Sequence, residues 1–406
     1  MGKRLSVYIK KKGGIFASGG IDVPFFAFLM IIVVAGLVML YSASYVYAYY
    51  KFENSAHFFM SQLRNTLIGF VLMLLFSKLN YWIFEDVGAV GGTLVSWGLL
   101  GLALLMPAHN GTRRHIYIGG FQFQPSDVAK FALILTLSAV LAKYHNVVVS
   151  KKPLQAPVFK RLNYTLGKPF FNDSLKIIVP CFAILGVYCV LVLAGSHLSG
   201  TILMLAIGLI LLYLGEVRGK WFAGGTAAAA VVLLLASQTS ILKGYMEERI
   251  TAWLDKDFDP LGARWQINQA LYAIGSGGLF GKGLGQSTLK HMYVSEPQND
   301  MIFSIVVEEL GLIGAALILV LFALLIWRGV VIGINSPDRY GALVAMGVVF
   351  QVGVQVILNI LVATDSIPNT GISLPFFSYG GTAIIVIMAE MGFVLSISRS
   401  SRIRRK

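Results

Sequence analysis

The stretch FFAFLMIIVVAGLVML (25–40) contains no charged residue. About 20 apolar residues in helical form cross the ~30 Å hydrocarbon core of a bilayer. This stretch therefore predicts a membrane-spanning helix over 24–47. Similar apolar runs predict further spans at 61–78, 87–106, 125–144, 176–194, 198–215, 221–240, 301–327, 341–363 and 375–397. The sequence thus predicts an all-α polytopic membrane protein with about ten transmembrane helices.

The composition supports the membrane assignment. Hydrophobic residues make up 56% of the chain and charged residues only 13%, with a mean hydropathy of +0.74, whereas soluble domains carry about 25% charged residues. The net charge of +14 would suggest nucleic-acid binding in a soluble protein, but basic residues fix topology in a membrane protein. The two cysteines, Cys181 and Cys189, share one apolar run, which is typical of buried thiols and not of a disulfide framework.

The distribution of basic residues predicts the orientation in the membrane. With a cytoplasmic N-terminus, two thirds of the Lys and Arg residues fall in segments that face the cytoplasm, as the positive-inside rule requires. The C-terminus is then cytoplasmic as well. We predict three parts: a basic N-terminal segment (1–23), a membrane domain (24–397) and a basic tail (398–406). The apolar run after Pro24 is too long for a cleavable signal.

Two segments stand out on the predicted external face. The short segment 107–124 carries neighbouring basic residues beside a Gly-rich turn. The segment 241–300 is a long extracytoplasmic loop, far longer than an ordinary connection, and we expect it to lie on the membrane face or to fold back over the helices. Its stretch GSGGLFGKGLG (275–285) is not predicted to bind nucleotide, because no strand precedes it and it lies outside the cell.

Asp300 is the strongest candidate for chemistry. An ionisable residue at the mouth of a membrane span is costly and therefore a functional candidate. Asp300 ends the long loop in the sequence SEPQND (295–300), four residues after Glu296. A carboxylate at a helix start also caps the helix, and spacing alone leaves the catalytic and the capping role equally open.

Basic residues on the same face are candidates for anion binding. Arginine binds phosphate oxygens through two parallel hydrogen bonds, so Arg113 and Arg114 form a candidate lipid-phosphate site, with anchoring to headgroups as the alternative. Lys130 follows Asp127 by three residues, the spacing of a helical ion pair. It either pairs structurally or completes the anion site. Further positive charge comes from Arg249, Arg264, Lys282 and Lys290.

Four motifs occur in a fixed order along the chain. They are GGFQFQPSDVAKFA (119–132), RWQINQALYAIGSGGLFGKGLGQS (264–287), EPQNDMIFSIVVEELGLIG (296–314) and IPNTGISLPFFSYGGT (367–382). Together they resemble the SEDS family (shape, elongation, division and sporulation), which is represented by FtsW, RodA and SpoVE. The resemblance runs over nearly the whole chain and implies the family's ten-helix fold.

The resemblance implies a peptidoglycan glycosyltransferase that polymerises lipid II into glycan strands on the outer face of the bacterial cytoplasmic (inner) membrane. It implies that Asp300 is catalytic, and it allows a divalent cation, Mg²⁺ or Mn²⁺, at Asp300 without an organic cofactor. Glu308, Glu309 and Pro125 also match motif positions. The implied substrate-binding residues are Arg113, Arg114, His115, Gln124, Ser126, Lys130, Gln266, Lys290, Glu296 and Ser378.

The chain departs from the usual family pattern at three positions. His115 stands where tryptophan is usual, Asp127 where glutamate is usual, and Asn299 where threonine is usual. None of these changes removes the implied chemistry. The basic N-terminal extension and the 367–382 motif are more similar to the FtsW/SpoVE branch than to RodA. We therefore expect septal synthesis in cell division, at the division septum, with elongation and sporulation as alternatives.

The resemblance also implies partners. These are lipid II, the undecaprenyl-diphosphate-linked glycan, a class B penicillin-binding protein and other division or elongation complex proteins; nucleic acid is not expected. A lipid II flippase remains an alternative, although it needs a charged path across the bilayer, and few acidic residues lie deep in the spans, with Glu390 and the pair Glu308 and Glu309 as the exceptions. A non-catalytic divisome scaffold is the third interpretation, but a scaffold would not need Asp300.

Overall fold

The computed structural model describes residues 14–107, 112–118, 121–150, 152, 172–227, 249–259, 261–262 and 264–401. Several predicted segments extend beyond these ranges. Outside the described residues lie 1–13 of the basic N-terminal segment, 153–171 between the fourth and fifth spans, 228–240 of the seventh span, 241–248 of the long loop and 402–406 of the basic tail. The division of the chain into three parts stays a prediction.

Apolar helices make up most of the described chain. Within the described residues, seven helices are long and apolar enough to cross a membrane, and two shorter helices, α3 and α7 below, are also apolar. Residues 219–227 are helical too. The helices are α1 Val23–Phe52, α2 His57–Lys78, α3 Ala89–Leu105 (preceded by a π-helical turn, Phe84–Gly88), α4 Pro125–Lys143, α5 His145–Val148, α6 Leu175–Ala194, α7 Leu198–Leu214, α8 Trp265–Gly277, α9 Ile302–Ile334, α10 Arg339–Ala363 and α11 Gly381–Ser400.

The predicted polytopic helical fold is confirmed. Nine of the ten predicted spans coincide with α1–α4, α6, α7 and α9–α11. The remaining one, 221–240, starts in the helical residues 219–227 and then leaves the described part of the chain. Helix α8 belongs to the long loop and packs against α9, so the expectation that this loop folds back over the helices is confirmed for its second half.

Local sequence fixes where the helices begin. Asp22 caps α1 through Oδ1, which accepts a hydrogen bond from the Phe25 amide at 3.0 Å, and Pro24 occupies the first turn, where a missing amide hydrogen costs nothing. Asp338 caps α10 in the same way, through the Gly341 amide at 2.7 Å. Asp22 also pairs with Arg328 at 2.8 Å. The start of α1 and the end of α9 therefore meet at one end of the bundle, opposite Asp300.

The centre of the bundle is formed by α4 and α11. In each, 78% of the most apolar 18-residue window is buried, against 33% in α2, whose remaining surface suits contact with lipid. Helix α11 packs along α2, and Gly392 allows this approach. A Cβ atom at Gly392 would lie 2.5 Å from the Met73 carbonyl oxygen. Small residues at such positions are typical of helix pairs in membranes.

Helix α9 is broken at Gly311, and the long loop fills the break. Gly311 has a φ of 71°, a conformation that favours glycine. The Glu308 carbonyl accepts the Lys282 amide at 2.9 Å, and the Leu312 amide donates to the Gly278 carbonyl at 2.9 Å. Non-helical backbone at membrane depth is tolerated where protein groups satisfy it, and here the loop supplies them.

Two details differ from the sequence-based expectation. The external segment 107–124 contains a short antiparallel hairpin, β1 Ile116–Ile118 and β2 Phe121–Phe123, with Tyr117 opposite Gln122. The last helix begins at Gly381 and not at residue 375. Phe376 has a φ of 65°, and the Ser378 hydroxyl accepts the Leu374 amide at 2.7 Å, so residues 374–378 form a turn.

Candidate active site

Asp300 lies half-buried just before α9. Met301 occupies the N-cap position of that helix, so Asp300 is not the capping residue. Its Oδ1 atom accepts a hydrogen bond from Gln266 Nε2 at 3.3 Å, and the same nitrogen is 3.2 Å from the Ser295 carbonyl oxygen. Gln266 lies in the first turn of α8, and therefore the long loop itself orients the carboxylate.

The backbone of Asp300 is held by Asn359, which lies fully buried on α10. Asn359 Nδ2 donates to the Asp300 carbonyl at 2.7 Å and to the Ile372 carbonyl at 2.7 Å. One side chain thus joins the start of α9 to the segment 367–372. Sequence reasoning missed this residue, although a polar side chain within an apolar span was the signal that could have found it.

The segment 367–372 forms one wall of the site. Gly371 has a φ of 70°, and a Cβ atom there would lie 3.7 Å from Asp300 Oδ2. The absence of a side chain at Gly371 leaves this side of the carboxylate open. Asn369 Nδ2 approaches Gln266 Oε1 at 3.5 Å, and the Arg249 guanidinium donates to the Asn369 carbonyl. The Ser199 hydroxyl of α7 also donates to the Thr370 carbonyl.

A buried ion pair fixes the segment that carries Arg249. Arg264 is 1% exposed, and its Nη2 lies 2.5 Å from Asp365 Oδ2. Arg264 Nη1 donates to the Ala252 carbonyl at 2.7 Å, and the Trp253 indole donates to the Asp365 carbonyl at 3.0 Å. These contacts attach Ala252, Trp253 and Arg264 to the end of α10.

The surroundings of Asp300 favour proton acceptance. Burial raises the pKa of the Asp300 carboxyl above its usual value of 3.8, and the positive charge of Arg249 only partly opposes this. A carboxylate with a raised pKa is a stronger base than an ordinary aspartate. The position and the electrostatics of Asp300 therefore suit general-base chemistry.

The external turn forms a second group of predicted residues. Arg113 is exposed, and its Nη1 donates to the Leu104 carbonyl at 3.2 Å. Arg114 is half-buried, and its buried Nε atom makes no hydrogen bond to any described residue. A buried guanidinium nitrogen of this kind can donate to an anion that enters the site.

A chain of hydrogen bonds runs inward from the turn. His115 Nε2 lies 3.2 Å from Gln124 Oε1, Gln124 Nε2 donates to Ser126 Oγ at 3.0 Å, and Ser126 Oγ lies 3.3 Å from His197 Nδ1. Burial and the charges of Arg114 and Lys130 lower the pKa of His197, which keeps its imidazole neutral. This chain joins the hairpin to the first residues of α4 and α7.

Lys130 pairs with Asp127 at 2.9 Å, and both side chains are buried. The helical ion pair that the spacing allowed is therefore present. Thr382 Oγ1 lies 3.5 Å from Asp127 Oδ2 and accepts the Gln124 amide at 3.1 Å, which links α4 to the start of α11. Lys130 and Ser378 line a cavity beneath residues 373–380, and Asp300 is not among the residues that line it.

The remaining predicted residues have structural partners. Lys290 is fully buried, with Nζ 2.6 Å from Glu309 Oε1, and the Glu296 carboxylate accepts a hydrogen bond from Asn299 Nδ2 at 2.7 Å. Lys290 and Glu309 attach the loop to α9. The structure thus groups Asp300 with Gln266, and Arg113 and Arg114 with His115, Gln124, Ser126 and Lys130, whereas Lys290 belongs to a separate ion pair. Their roles in substrate binding stay predictions.

No described group of three or more His, Cys, Asp or Glu side chains is placed to hold a metal ion. Asp300 supplies a single carboxylate. Mg²⁺ in enzymes is often held by one or two carboxylates together with substrate phosphates and water, so the donor set fits a cation that arrives with a phosphorylated substrate.

Comparison with known proteins identifies the family. The family model of FtsW, RodA and SpoVE, described as cell cycle protein, matches residues 23–403. The chain is 36% identical over 381 residues to stage V sporulation protein E of Bacillus subtilis (strain 168), covering 92% of this chain and 95% of that protein. It is 33% identical over 388 residues to the probable peptidoglycan glycosyltransferase FtsW of Geobacter sp. (strain M18), covering 94% and 98%.

Solved structures agree with the fold. One similar chain comes from a peptidoglycan synthase complex described as coordinating polymerization and crosslinking. Its sequence identity is 24%, the match covers 94% of this chain and 99% of that chain, and the TM-score is 0.71. The rod shape determining protein RodA of Thermus thermophilus has 23% identity, coverage of 94% and 98%, and a TM-score of 0.64. The predicted SEDS membership is confirmed: this chain belongs to the FtsW/RodA/SpoVE family of cell cycle proteins.

Proposed function

We propose that this chain is a peptidoglycan glycosyltransferase that polymerises lipid II on the outer face of the bacterial cytoplasmic membrane. The observation that carries the proposal is Asp300, a carboxylate with a raised pKa. It lies at the end of the bundle opposite the Asp22–Arg328 pair, with its side chain held by Gln266 and its backbone by Asn359. Relatives named as probable peptidoglycan glycosyltransferases support the activity.

In the proposed reaction, the growing glycan on undecaprenyl diphosphate is the donor and lipid II is the acceptor. Asp300 takes the proton from the 4-hydroxyl of the acceptor sugar while that oxygen attacks the anomeric carbon of the donor. The bond between the anomeric carbon and the diphosphate oxygen breaks, and the diphosphate leaves with its electron pair. Gln266 orients the base, and the open side at Gly371 gives the acceptor sugar access to Oδ2.

The leaving diphosphate requires positive charge. Arg114, with its buried and unpaired Nε, and the neighbouring exposed Arg113 are proposed to bind it. Arginine is suited to this role because its guanidinium matches phosphate oxygens in geometry. A divalent cation, held by Asp300 and the substrate phosphates, would supply further charge neutralisation. Lys130 is proposed to act indirectly, through the pair with Asp127 that supports the turn.

We further propose a class B penicillin-binding protein as the partner and the division septum as the place of action. The likeness in fold to a chain from a peptidoglycan synthase complex supports a partner that crosslinks the product. Relatives named FtsW support septal synthesis, while the stage V sporulation relative supports sporulation as the alternative role. A fluorescent fusion that marks the mid-cell septum in vegetative cells supports the division role, and one confined to sporulating cells contradicts it.

The direct test is lipid II polymerisation by the purified protein with Mg²⁺ or Mn²⁺, with and without the penicillin-binding protein. We expect glycan ladders from wild type and none from Asp300→Asn. Asp257→Asn is the matched control, because it makes the same chemical change at an exposed position of the same loop. Equal ladders from wild type and Asp300→Asn would contradict the role of Asp300.

The flippase and scaffold alternatives give different results in the same system. Translocation of labelled lipid II across proteoliposomes, measured separately from polymerisation, reports flipping alone. Translocation without any ladder, even with the partner present, would favour the flippase. Absence of both activities in a correctly folded protein would favour the scaffold.

A further inference from the structure

A cavity lined by polar and apolar side chains lies inside the bundle between α4, α10 and α11. Its volume beneath residues 373–380 is about 30 Å³. Glu390 lies nine residues into α11, about 14 Å along the helix axis from its external end. This depth is close to the middle of a ~30 Å hydrocarbon core, where an ionisable residue is a candidate for a specific function.

Three buried oxygen atoms, on side chains that line this cavity, have no hydrogen-bond donor among the described residues. They are Glu390 Oε1, Gln351 Oε1 and Gln355 Oε1, and the three side chains are 0%, 2% and 7% exposed. The orientation of Gln351 is fixed because its Nε2 atom donates to Glu390 Oε2 at 2.8 Å. Gln351 and Gln355 are one turn apart on α10 and share the face that meets α11. Buried oxygens of native proteins are normally paired, and three unpaired ones around one cavity indicate a missing ligand.

Glu390 is the one ionisable group among the described lining residues that has no ion-pair partner. Asp127 and Lys130 line it as well, but they neutralise each other at 2.9 Å. Glu390 makes no ion pair within the described residues, and its one hydrogen-bond donor is the neutral amide of Gln351. An ionised Glu390 therefore has no compensating charge at membrane depth, where an unpaired charge is costly.

We propose that this cavity is a binding site for a monovalent alkali cation, with Na⁺ coordinated by the side-chain oxygens of Glu390, Gln351 and Gln355. Carboxylate and amide oxygens are hard ligands, which suit alkali and alkaline-earth ions. A single positive charge balances Glu390, whereas a divalent ion would leave an excess charge close to Lys130. The cation cross-links α10 and α11 directly beneath residues 373–380.

The competing occupant is water together with a proton on Glu390. A proton alone provides one donor for three oxygens, and water provides the others, so the test below is designed to separate this state from bound Na⁺. The ligand type argues against a soft or transition-metal ion, because no cysteine or histidine of the described residues lines the cavity. The proposal is tested independently of the glycosyltransferase activity, because the measurements below report ion binding and stability and not polymerisation.

The test is the thermal stability of the purified full-length protein in detergent. NaCl is compared with choline chloride at equal ionic strength, because a ligand that binds only the folded state raises Tm with its concentration. We expect the Tm of the wild type to rise with Na⁺ concentration and to stay constant with choline. The Na⁺-specific rise is lost in Glu390→Gln and reduced in Gln355→Leu, and it is retained in Asp257→Asn.

A second measurement covers the case in which Glu390→Gln does not fold. Broadening of the ²³Na NMR line by wild-type protein, and its reduction in Gln355→Leu, reports binding directly and needs no charge change in the membrane. Equal Tm values in Na⁺ and choline for the wild type would overturn the proposal in favour of a protonated Glu390 with water. An equal Na⁺ response in wild type and Glu390→Gln would also overturn it, because the ion would then bind elsewhere.

Discussion

Asn359→Leu is the substitution that most directly tests how the fold positions Asp300. The amide of Asn359 donates 2.7 Å hydrogen bonds to the carbonyl oxygens of Asp300 and Ile372. Leucine has a similar size but no donor, so both buried carbonyls lose this donor. An unsatisfied buried acceptor costs about 1–3 kcal/mol. The hydrogen bond to the Ile372 carbonyl is buried and that to the Asp300 carbonyl is partly buried, so we expect this junction to be destabilised by about 1–3 kcal/mol.

The larger consequence is expected in catalysis. A displacement of about 1 Å in a reacting group can lower the rate about 100-fold, and the start of α9 is free to shift once the Asn359 bridge is lost. We expect kcat for glycan polymerisation to fall about 100-fold, while KM for lipid II changes only a few-fold, because Asn359 is buried and does not face the substrate.

The matched control is Thr136→Val on α4. Thr136 is also buried, and its hydroxyl oxygen lies 2.8 Å from the Ala132 carbonyl and 3.1 Å from the Ala89 carbonyl, to either of which it can donate. This variant removes buried hydrogen bonds elsewhere in the protein, so we expect a lower Tm with wild-type kcat. The reasoning is refuted if Asn359→Leu lowers Tm but keeps the wild-type kcat, or if Thr136→Val loses activity to the same extent.

Three further predictions concern the same end of the molecule. Arg264→Leu leaves Asp365 as an unpaired buried charge and should lower the free energy of unfolding by about 3–5 kcal/mol. The double variant that adds Asp365→Leu should recover part of the lost Tm. Absence of any recovery would contradict a direct ion pair. Gly311→Ala places a Cβ atom 2.3 Å from the Gly281 amide nitrogen, at a position where φ is 71°. We therefore expect the variant to misfold and to elute as aggregate in size-exclusion chromatography. A monodisperse peak with the wild-type Tm would argue against backbone strain at this position. Because Asp300 must be ionised to act and its pKa is raised, kcat/KM should fall on acidification at a higher pH than an ordinary aspartate would give; a profile that stays flat into the usual aspartate range would contradict this.

The spans could be predicted from the sequence because long apolar runs are a local property. The start of α11 could not, because the hydrophobic run extends back to Pro375 while the turn at Phe376 and Ser378 delays the helix. The break of α9 at Gly311 was missed for a related reason. Its freed backbone groups are satisfied by residues 278–283, and a pairing of this kind has no signal in the local pattern.

The candidate site was predictable only in part. Asp300 was found because it ends the long loop at the mouth of a span. The pairing of Arg264 with Asp365 was not foreseen, because the two residues are 101 positions apart, and Arg264 was counted as free positive charge on the external face. Lys282 and Lys290 were counted in the same way. Local spacing reveals pairs such as Asp127–Lys130, whereas long-range pairs become visible only in the folded structure.

The ion pairs of the long loop distinguish its paired carboxylates from Asp300, the carboxylate that is available for chemistry. Lys282 lies 2.7 Å from Glu308, Lys290 lies 2.6 Å from Glu309, and each pair attaches the long loop to α9. Asp300 is different, because within the described residues it makes no salt bridge and its side chain is held by the neutral amide of Gln266. A neighbouring cation lowers the pKa of a carboxylate, whereas burial raises it. The fold thus uses its paired carboxylates to hold the loop in place and leaves Asp300, oriented but not neutralised, with the affinity for a proton that a general base needs.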